Sequence, residues 1–327
     1  MKKLISLFLI LSLILTAAYA EEAAEENTVP VFTADEIVDA GNAAREAGDY
    51  AKALAYYELA AERRYRRALN NLGLMYHNGE GVEQSYEKAA EYYQLAADQG
   101  FPQAQFNLGL LYYNGEGVEQ SLEKALELFR LTADQGADYA QNEMGWLYQN
   151  GIGVEQSIEK AAEYYRLAAD QGFPQALHNL GSLYYEAEDH EKAVECFQKA
   201  AEKGFVDSIL ALGQMYYYGY GVEVSYDRSF ELFRQAADLG NADALNMIGD
   251  SYENGRGVEQ SYEKAIEYYQ MAIDAGSPYG LSSMGMMYQF GYGVEQSAEK
   301  AREYYQQALD EGNVFAPVLL ESLEAGE

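Results

Sequence analysis

A glycine followed three residues later by a tyrosine recurs along most of this chain at a nearly constant interval. The interval is 36 residues at five of six steps and 32 residues at the remaining one. These glycines, called repeat glycines below, are Gly73, Gly109, Gly145, Gly181, Gly213, Gly249 and Gly285. A period of this size is typical of proteins built from similar supersecondary units, each packed on the next. We therefore expect a chain of stacked repeats.

Each repeat contains two segments with helical periodicity. The first, helix A, is predicted for example over residues 102–114, where Ala104, Leu108 and Leu111 recur at helical spacing. The second, helix B, is predicted for example over residues 85–99, whose alanines and tyrosines recur at i, i+3, i+4 and i+7. The stretch "NGEGV" before helix B is typical of a turn, because glycine tolerates turn conformations. The chain is therefore predicted to be all-α.

Three short motifs follow one another in the same order in most repeats. They are LG-x-x-Y, G-x-G-V and K-A-x-x-Y-Y-x-x-A-A-x-x-G, and they stay in register over residues 65–312. This order resembles the Sel-one-like repeat family, a branch of the tetratricopeptide superfamily. The repeats around Gly41 and Gly181 lack four turn residues and keep the spacing of an ordinary tetratricopeptide repeat. The resemblance implies an α-solenoid, a right-handed superhelix of antiparallel helix pairs.

The repeats occupy most of the chain after a short leader. Residues 33–312 are predicted to form eight helix pairs, and residues 313–327 a capping half-repeat. Residues 21–32 are predicted to be a flexible acidic lead-in, because they are rich in glutamate.

The first twenty residues have the pattern of a secretory signal peptide. Lys2 and Lys3 precede an apolar run, and Ala18-Tyr19-Ala20 fits the cleavage rule. An uncleaved membrane anchor is the alternative, although the apolar run is short for a membrane span. We expect cleavage after Ala20 and export, to the periplasm or exterior of a bacterium or along the secretory route of a eukaryote.

The chain is strongly acidic, with a formal net charge of −31 at pH 7. Cleavage would remove Lys2 and Lys3 and make the charge still more negative. This balance argues against nucleic acid and against anionic membrane surfaces as partners, and it favours solubility or basic partners. Cys196 is the only cysteine, so no intramolecular disulfide is expected.

The tetrad S-x-x-K recurs in five repeats, and in penicillin-interacting enzymes this tetrad carries the nucleophilic serine. The serines are Ser85, Ser121, Ser157, Ser261 and Ser297. A nucleophile is needed once, whereas a serine that recurs at the start of helix B can accept a hydrogen bond from an unpaired amide of the first turn. The companion motifs S-D-N and K-T-G do not occur in the sequence. We therefore expect these serines to be helix N-caps.

No catalytic site, cofactor or metal is predicted. The G-x-G turns lack the strand, third glycine and Lys-Ser/Thr of a phosphate-binding loop, and the three histidines are too scattered for a zinc-type pair. The predicted function is a non-catalytic scaffold for protein–protein or protein–peptide interaction. Two alternatives stay open. One is an enzyme that interacts with β-lactam or cell-wall compounds, and the other is an adaptor in the quality control of exported proteins.

The resemblance implies that helix A of each repeat lines a concave face on which a partner binds. The partner-facing positions lie three residues before the repeat glycine, one after it and four after it; they are called −3, +1 and +4 below. The −3 residues are Asn70, Phe106, Asn142, His178, Leu210, Asn246 and Ser282. The +1 residues are Leu74, Leu110, Trp146, Ser182, Gln214, Asp250 and Met286. The +4 residues are His77, Tyr113, Gln149, Tyr185, Tyr217, Glu253 and Gln289.

These positions vary between repeats, which favours a shared scaffold with an individual binding surface. The predicted partner-binding residues are Asn70, Phe106, Tyr113, Asn142, Trp146, Gln149, His178, Tyr185 and Tyr217. The three positions hold no Lys or Arg, so a cationic clamp for a C-terminal carboxylate is not expected. The expected partner is a protein or an extended peptide, held by amide hydrogen bonds and aromatic contacts. The alternative for any one side chain is packing between neighbouring repeats.

Trp146, the only tryptophan, is predicted to lie exposed at the centre of this surface. The same position holds Ser182 and Asp250 in other repeats, which argues against a sealed core. The residues predicted to surround it are Phe106, Tyr113, Asn142, His178 and Tyr185.

Residues 62–67, "ERRYRR", hold four arginines in this acidic chain. Two interpretations are open for the Arg63–Arg67 cluster: it docks the acidic residues 21–26 of the same or another chain, or it forms a solvated turn.

Overall fold

The computed structural model describes residues 32–326, which contain seventeen α-helices and no strand. The predictions for residues 1–20 and for most of the acidic lead-in lie outside the described residues. The helices are α1 (Ala34–Glu46), α2 (Tyr50–Ala61), α3 (Arg66–Asn78), α4 (Tyr86–Ala97), α5 (Pro102–Asn114), α6 (Leu122–Asp134), α7 (Asp138–Asn150), α8 (Ile158–Asp170), α9 (Pro174–Glu186), α10 (His190–Glu202), α11 (Val206–Tyr218), α12 (Tyr226–Asp238), α13 (Ala242–Asn254), α14 (Tyr262–Asp274), α15 (Pro278–Phe290), α16 (Ala298–Asp310) and α17 (Ala316–Gly326).

The chain divides into two compact units, Met1–Phe101 and Pro102–Glu327. The first contains α1–α4 and the second α5–α17, and in each unit every helix packs on the next one in the chain. Odd-numbered helices are A helices and even-numbered helices are B helices. Their connections are short, which makes the two helices of a pair antiparallel neighbours. The predicted all-α solenoid of helix pairs is confirmed.

In every pair, an aromatic ring of helix B lies on the repeat glycine of helix A, and in the first pair Gly41 takes this place. A Cβ atom added at Gly145 would be 2.6 Å from ring atoms of Tyr165. The rings are Tyr57 and Tyr93 in the first unit, and Phe129, Tyr165, Phe197, Phe233, Tyr269 and Tyr305 in the second; all are buried. Carbon atoms in contact are normally about 3.5–4.0 Å apart. A larger residue at the repeat glycine would therefore push the two helices apart.

The turn between helix A and helix B is closed by side chains as well as by glycine. Helix α7 ends at Gly151, which adopts the left-handed conformation with a φ of 69°. Gln156 Nε2 then donates to the carbonyl oxygen of Gln149 at 2.8 Å, which satisfies an acceptor at the end of α7. The same arrangement recurs at Gln84, Gln120, Gln260 and Gln296.

The serine of S-x-x-K caps helix B, as predicted. Ser85 Oγ accepts a hydrogen bond from the backbone N–H of Lys88 at 3.2 Å. The same cap is made by Ser121, Ser157, Ser225, Ser261 and Ser297. Asp49 and Asp189 take this place in the two repeats without the G-x-G-V turn.

The lysine of the tetrad lies over the tyrosine that follows the repeat glycine. Lys124 Nζ is 4.7 Å from the ring centroid of Tyr112. The other tetrad pairs, at 4.8–5.0 Å, are Lys88–Tyr76, Lys160–Tyr148, Lys264–Tyr252 and Lys300–Tyr288. In the short repeat, Lys192 follows the Asp189 cap and lies 5.3 Å from the ring centroid of Tyr184. These are cation–π contacts between helix B and helix A. Both the serine and the lysine of the tetrad therefore have a structural role.

The short repeat differs from its neighbour in the connection alone. Helices α9 and α10 have 13 residues each, as do α7 and α8. The connection is residues 187–189 in the short repeat and residues 151–157 in the one before it. The repeat thus keeps its helices and shortens the turn, as predicted.

No helix within residues 32–326 has the length and apolarity required to cross a membrane. The same part of the chain contains no group of three or more His, Cys, Asp or Glu side chains positioned to hold a metal ion.

Candidate binding surface on the A helices

In the second unit, the residue type at the +4 position is matched to the buried ring of its own helix B. Tyr165 donates its hydroxyl proton to Gln149 Oε1 at 2.7 Å, and Tyr305 donates to Gln289 Oε1 at 2.6 Å. Where the ring is a phenylalanine, the +4 residue is a tyrosine: Tyr113, Tyr185 and Tyr217 accompany Phe129, Phe197 and Phe233. The +4 position is thus matched to the ring, and Gln149 accepts a hydrogen bond inside its own helix pair.

Tyr217 corrects the predicted set, because it is only 3% exposed. Its ring centroid is 6.0 Å from that of Phe233, and its hydroxyl donates to an Asp250 carboxylate oxygen. Arg256 Nη1 donates to the same hydroxyl oxygen at 2.7 Å. Asp250 and Arg256 belong to the following repeat, so Tyr217 joins two repeats and is not a free surface residue.

Asn70 is also buried, at 5% exposure, although it was predicted to face a partner. It lies in the first unit on α3, between the buried Leu69 and the half-buried Asn71, and its Nδ2 donates to Asn71 Oδ1 at 3.4 Å. The packing of α3 covers this amide, which corrects its predicted exposure.

Five of the six −3 side chains of the second unit are half-buried, and the sixth, Ser282, is buried. Phe106 packs edge-on against Tyr139, with ring centroids 4.8 Å apart. Asn142 Oδ1 accepts from Asn179 Nδ2 at 2.9 Å. Packing between repeats, the alternative considered from the sequence, is therefore found at this position.

His178 occupies the −3 position of α9 and is likewise engaged with its neighbours. Its Nδ1 lies 2.9 Å from Ser208 Oγ, and its ring contacts Phe197 and Phe205. Burial lowers the pKa of His178 below 6.5, so the ring is neutral at pH 7. It offers no positive charge to a partner.

Trp146 is exposed, as predicted, with 38% of its surface accessible. It lies on α7, and its carbonyl oxygen accepts from Asn150 Nδ2 at 2.8 Å. Of its five predicted neighbours, only Tyr185 is exposed. Phe106 and Tyr113 pack against the buried core of α6–α8. That the five residues surround Trp146 stays a prediction.

Two exposed tyrosines that were not predicted from the sequence, Tyr218 and Tyr220, lie beside Tyr185. The Tyr220 ring centroid is 5.7 Å from Tyr218, 5.9 Å from Tyr185 and 5.1 Å from His190. The exposed fractions of Tyr185, Tyr218 and Tyr220 are 41%, 52% and 38%. Residues 185, 190, 218 and 220 are called the tyrosine patch below. The available signal was the turn "YGYGV" at 218–222, where four other turns begin with Asn-Gly.

The patch forms because the turn after α11 lies on the start of α10. A Cβ atom added at Gly221 would be 2.4 Å from the backbone carbonyl of His190, so only glycine permits this approach. Gly221 also has a φ of 69°, in the left-handed region that favours glycine. The preceding Tyr220 is thereby placed over the short repeat.

The Arg63–Arg67 cluster is partly engaged within the first unit. Arg67 donates to Asp35 Oδ1 at 2.6 Å and to Asp39 Oδ1 at 3.0 Å. Arg66 lies over the ring of Phe101, 5.7 Å from its centroid. Arg67 therefore ties α3 to α1, while residues 21–26, the partner considered from the sequence, lie outside the described residues.

The Sel1 repeat profile matches seven segments of the chain. They are residues 42–65, 66–101, 102–136, 138–173, 206–241, 242–277 and 278–313. A tetratricopeptide repeat profile matches residues 174–203, which form the short repeat. A comparison with curated protein sequences finds no match.

Solved structures with the same repeat superpose on the chain. The protective antigen c5321 of uropathogenic Escherichia coli, described as having an SLR fold, is 33% identical with a TM-score of 0.75. The match covers 89% of this chain but only 64% of the antigen chain. A Sel1 repeat protein from Oxalobacter formigenes is 28% identical with a TM-score of 0.63, and the match covers 97% of this chain and 93% of that one. With seven matching segments and these two likenesses, the chain belongs to the Sel1 repeat family.

Proposed function

We propose that this protein is an exported, non-catalytic scaffold that binds a protein or an extended peptide through exposed side chains of its A helices. Repeats of this family generally bind proteins. The observation that carries the proposal is the exposure of Trp146 on α7. Tryptophan is enriched among the residues that contribute most to the affinity of protein interfaces.

Of the nine predicted partner-binding residues, Trp146 and Tyr185 are exposed and free for a partner. The other −3 and +4 residues of the set are buried or half-buried. In other repeats the +1 position of Trp146 holds residues as different as Leu110, Gln214 and Asp250. Leu110 and Asp250 pack against neighbouring residues, whereas Trp146 stays exposed and can meet a partner.

Export and the absence of catalysis rest on separate observations. The first twenty residues have the charge and apolar pattern of a secretory signal peptide. The repeated S-x-x-K serines are helix caps with their lysines over tyrosine rings, so the feature that favoured a penicillin-interacting enzyme has a structural explanation. Export is also supported by the similar protein c5321, which is a protective antigen of a bacterial pathogen.

The test is the change Trp146→Ala, measured against a partner identified by proximity labelling in the native host. We expect the affinity for that partner to fall by roughly 2 kcal/mol, or about thirtyfold, while Tm stays nearly unchanged. The matched control is Leu167→Ala, since Leu167 is 52% exposed but lies on the B helix α8. Acrylamide should quench the tryptophan fluorescence of the free protein, and a bound partner should protect Trp146 from quenching.

Two outcomes would contradict the proposal. If Leu167→Ala weakened binding and Trp146→Ala did not, the binding surface would lie on the B helices. If a fluorescent β-lactam labelled the protein covalently, and one Ser→Ala change in an S-x-x-K tetrad abolished labelling, the protein would be an enzyme.

A further inference from the structure

We propose that the tyrosine patch binds an arginine-containing, basic segment of the partner protein, with guanidinium groups stacked on the exposed tyrosine rings. The inference rests on the proposed function and specifies the chemistry of the partner. It concerns only the second unit, which contains every residue of the patch.

The patch is a continuous group of rings that the fold leaves accessible. Tyr220 lies between Tyr185, His190 and Tyr218, with centroid distances of 5.1–5.9 Å. The ring planes of Tyr185 and Tyr220 are inclined at 70°, and those of Tyr218 and Tyr220 at 33°. The group therefore presents ring faces in more than one direction. Tyrosine clusters of this kind are typical of interfaces, because the ring is apolar and the hydroxyl remains hydrated.

An arginine of this chain already stacks on the rings next to the patch. The guanidinium carbon of Arg256 is 4.9 Å from the ring centroid of Tyr217 and 5.5 Å from that of Tyr226. The Tyr217 ring in turn lies 5.0 Å from that of Tyr218, a member of the patch. The face of a tyrosine ring attracts cations. The rings at this end of the A helices are thus already used to hold a guanidinium group.

The charges around the patch favour a cation over an anion. Glu186 follows Tyr185, and Asp189 and Glu191 flank His190. Three cations lie near these rings. Lys192 pairs with Asp189 and lies over Tyr184, Arg166 donates to the Tyr184 hydroxyl oxygen at 3.3 Å, and Arg256 faces Tyr217, so each already has a partner. Against a formal net charge of −31, an approaching basic segment is attracted and an acidic one is repelled.

Arginine fits this surface better than lysine. Its guanidinium group is planar and weakly hydrated, so it loses less on stacking against a ring than the strongly hydrated ammonium group of lysine. Its N–H groups can also donate to a neighbouring carboxylate while the plane rests on a ring. The rings supply selectivity for arginine, and the acidic surroundings supply general attraction.

The experiment uses the chain without its predicted signal peptide, residues 21–327, and three fluorescently labelled peptides. In each peptide, serine alternates with one variable residue. The variable residue is arginine, lysine or citrulline, the last being the neutral isostere of arginine. Binding is measured by fluorescence anisotropy at about 150 mM salt, where long-range attraction is screened. We expect the arginine peptide to bind more tightly than the lysine peptide, and the citrulline peptide to bind least.

The decisive variants change rings without changing charge. Tyr218→Leu with Tyr220→Leu should weaken arginine-peptide binding about tenfold, while Tyr218→Phe with Tyr220→Phe should stay within about threefold, because the ring faces remain. Leu167→Ala is the control. If the double leucine variant lost helicity, Tyr218→Leu alone would be used, since that side chain is 52% exposed.

The inference is wrong if the leucine variants bind the arginine peptide as tightly as the unchanged protein does. It is also wrong if arginine and lysine peptides bind equally well to every variant, because charge alone would then explain binding. The proposed function is tested separately by Trp146→Ala with the native partner. If Trp146→Ala weakens binding of the native partner but the leucine variants leave arginine-peptide binding unchanged, the proposed function stands and the proposed arginine preference is wrong.

Discussion

In the second unit, single residues are matched across each helix pair. The ring that lies on the repeat glycine is either a tyrosine or a phenylalanine, and the +4 residue differs accordingly. A buried tyrosine hydroxyl needs an acceptor, which Gln149, Glu253 and Gln289 provide. A phenylalanine needs none, and a tyrosine can then occupy the +4 position. The match explains why a position predicted to contact partners varies between repeats.

Glu253→Gln should stabilise the protein at neutral pH. Burial raises the pKa of Glu253 above its ordinary value of 4.5. The folded protein therefore favours the protonated form of Glu253. The stabilisation from this preference is complete below about pH 4.5 and is lost as pH rises through the raised pKa. Glutamine stays neutral and can still accept from Tyr269. We expect a gain on the order of 0.5 kcal/mol at pH 7, measured by urea unfolding, after allowance for solvent screening.

The reverse change, Gln149→Glu, is the matched control for that prediction. It places a carboxylate at the same +4 position of α7, where Tyr165 donates the hydrogen bond. It should destabilise the protein at pH 7 and have little effect near pH 4. A pH-independent difference in either variant would show that ionisation of the +4 residue is not the cause.

At the scale of secondary-structure elements, the ends of the helices are closed by their own side chains. In five of the longer turns, helix A is followed by a glycine and receives a hydrogen bond from the turn glutamine. In the short repeat, α9 is followed by Ala187, and the Tyr184 carbonyl oxygen accepts from the backbone N–H of Asp189 at 2.9 Å. Helix B begins after a serine or aspartate cap in both kinds of repeat. Unpaired backbone groups at both ends of the connection thereby gain hydrogen-bond partners from within the same repeat. This local closure allows a repeat to keep its helices when the turn is shortened, as in α9 and α10.

Ser121→Ala should cost about 1 kcal/mol of stability, because an amide in the first turn of α6 loses its acceptor. Ser121→Asp is the control, since Asp49 and Asp189 make the same cap in the two repeats with short turns. It should retain most of the stability. Thermal and urea unfolding measure the difference. A variant that unfolds normally but loses a specific activity would show that the serine does more than cap a helix.

At the scale of the whole molecule, the dominant feature is the excess of negative charge. The chain has 53 acidic and 22 basic side chains, an excess of 31 acidic groups. Pairs such as Arg45–Glu80 and Arg302–Glu324 do not remove this excess, because each pair uses one group of either sign. The folded protein is therefore expected to be destabilised by repulsion between its own carboxylates.

Raising the salt concentration should stabilise the protein. Between about 10 mM and 150 mM salt, the screening length falls from about 30 Å to about 8 Å, which weakens the repulsion. We expect Tm to rise by roughly 2–4 °C, corresponding to about 1 kcal/mol for a domain of this size. Sodium chloride and potassium chloride should act alike. A fall in Tm would mean that attractive pairs such as Arg67–Asp35 outweigh the repulsion.

The sequence alone determined the repeats, the two helices of each and the caps between them. These features depend on residues close together in the chain: a period of 36, apolar side chains at i, i+3 and i+4, and a serine before the first turn. It also indicated that Trp146 is exposed, because polar residues occupy the same position in other repeats.

Only the tertiary structure decided which of the variable side chains are available to a partner. Tyr217 and Asn70 are covered, and Phe106, Asn142 and His178 are engaged by residues of the next repeat. Tyr218 and Tyr220 meet Tyr185 because the turn after α11 rests on the start of α10. The burial of a side chain depends on what neighbouring repeats place against it. Contacts of this kind, such as His178–Ser208 and Tyr217–Asp250, join residues about thirty positions apart. Local periodicity in the sequence does not reveal them.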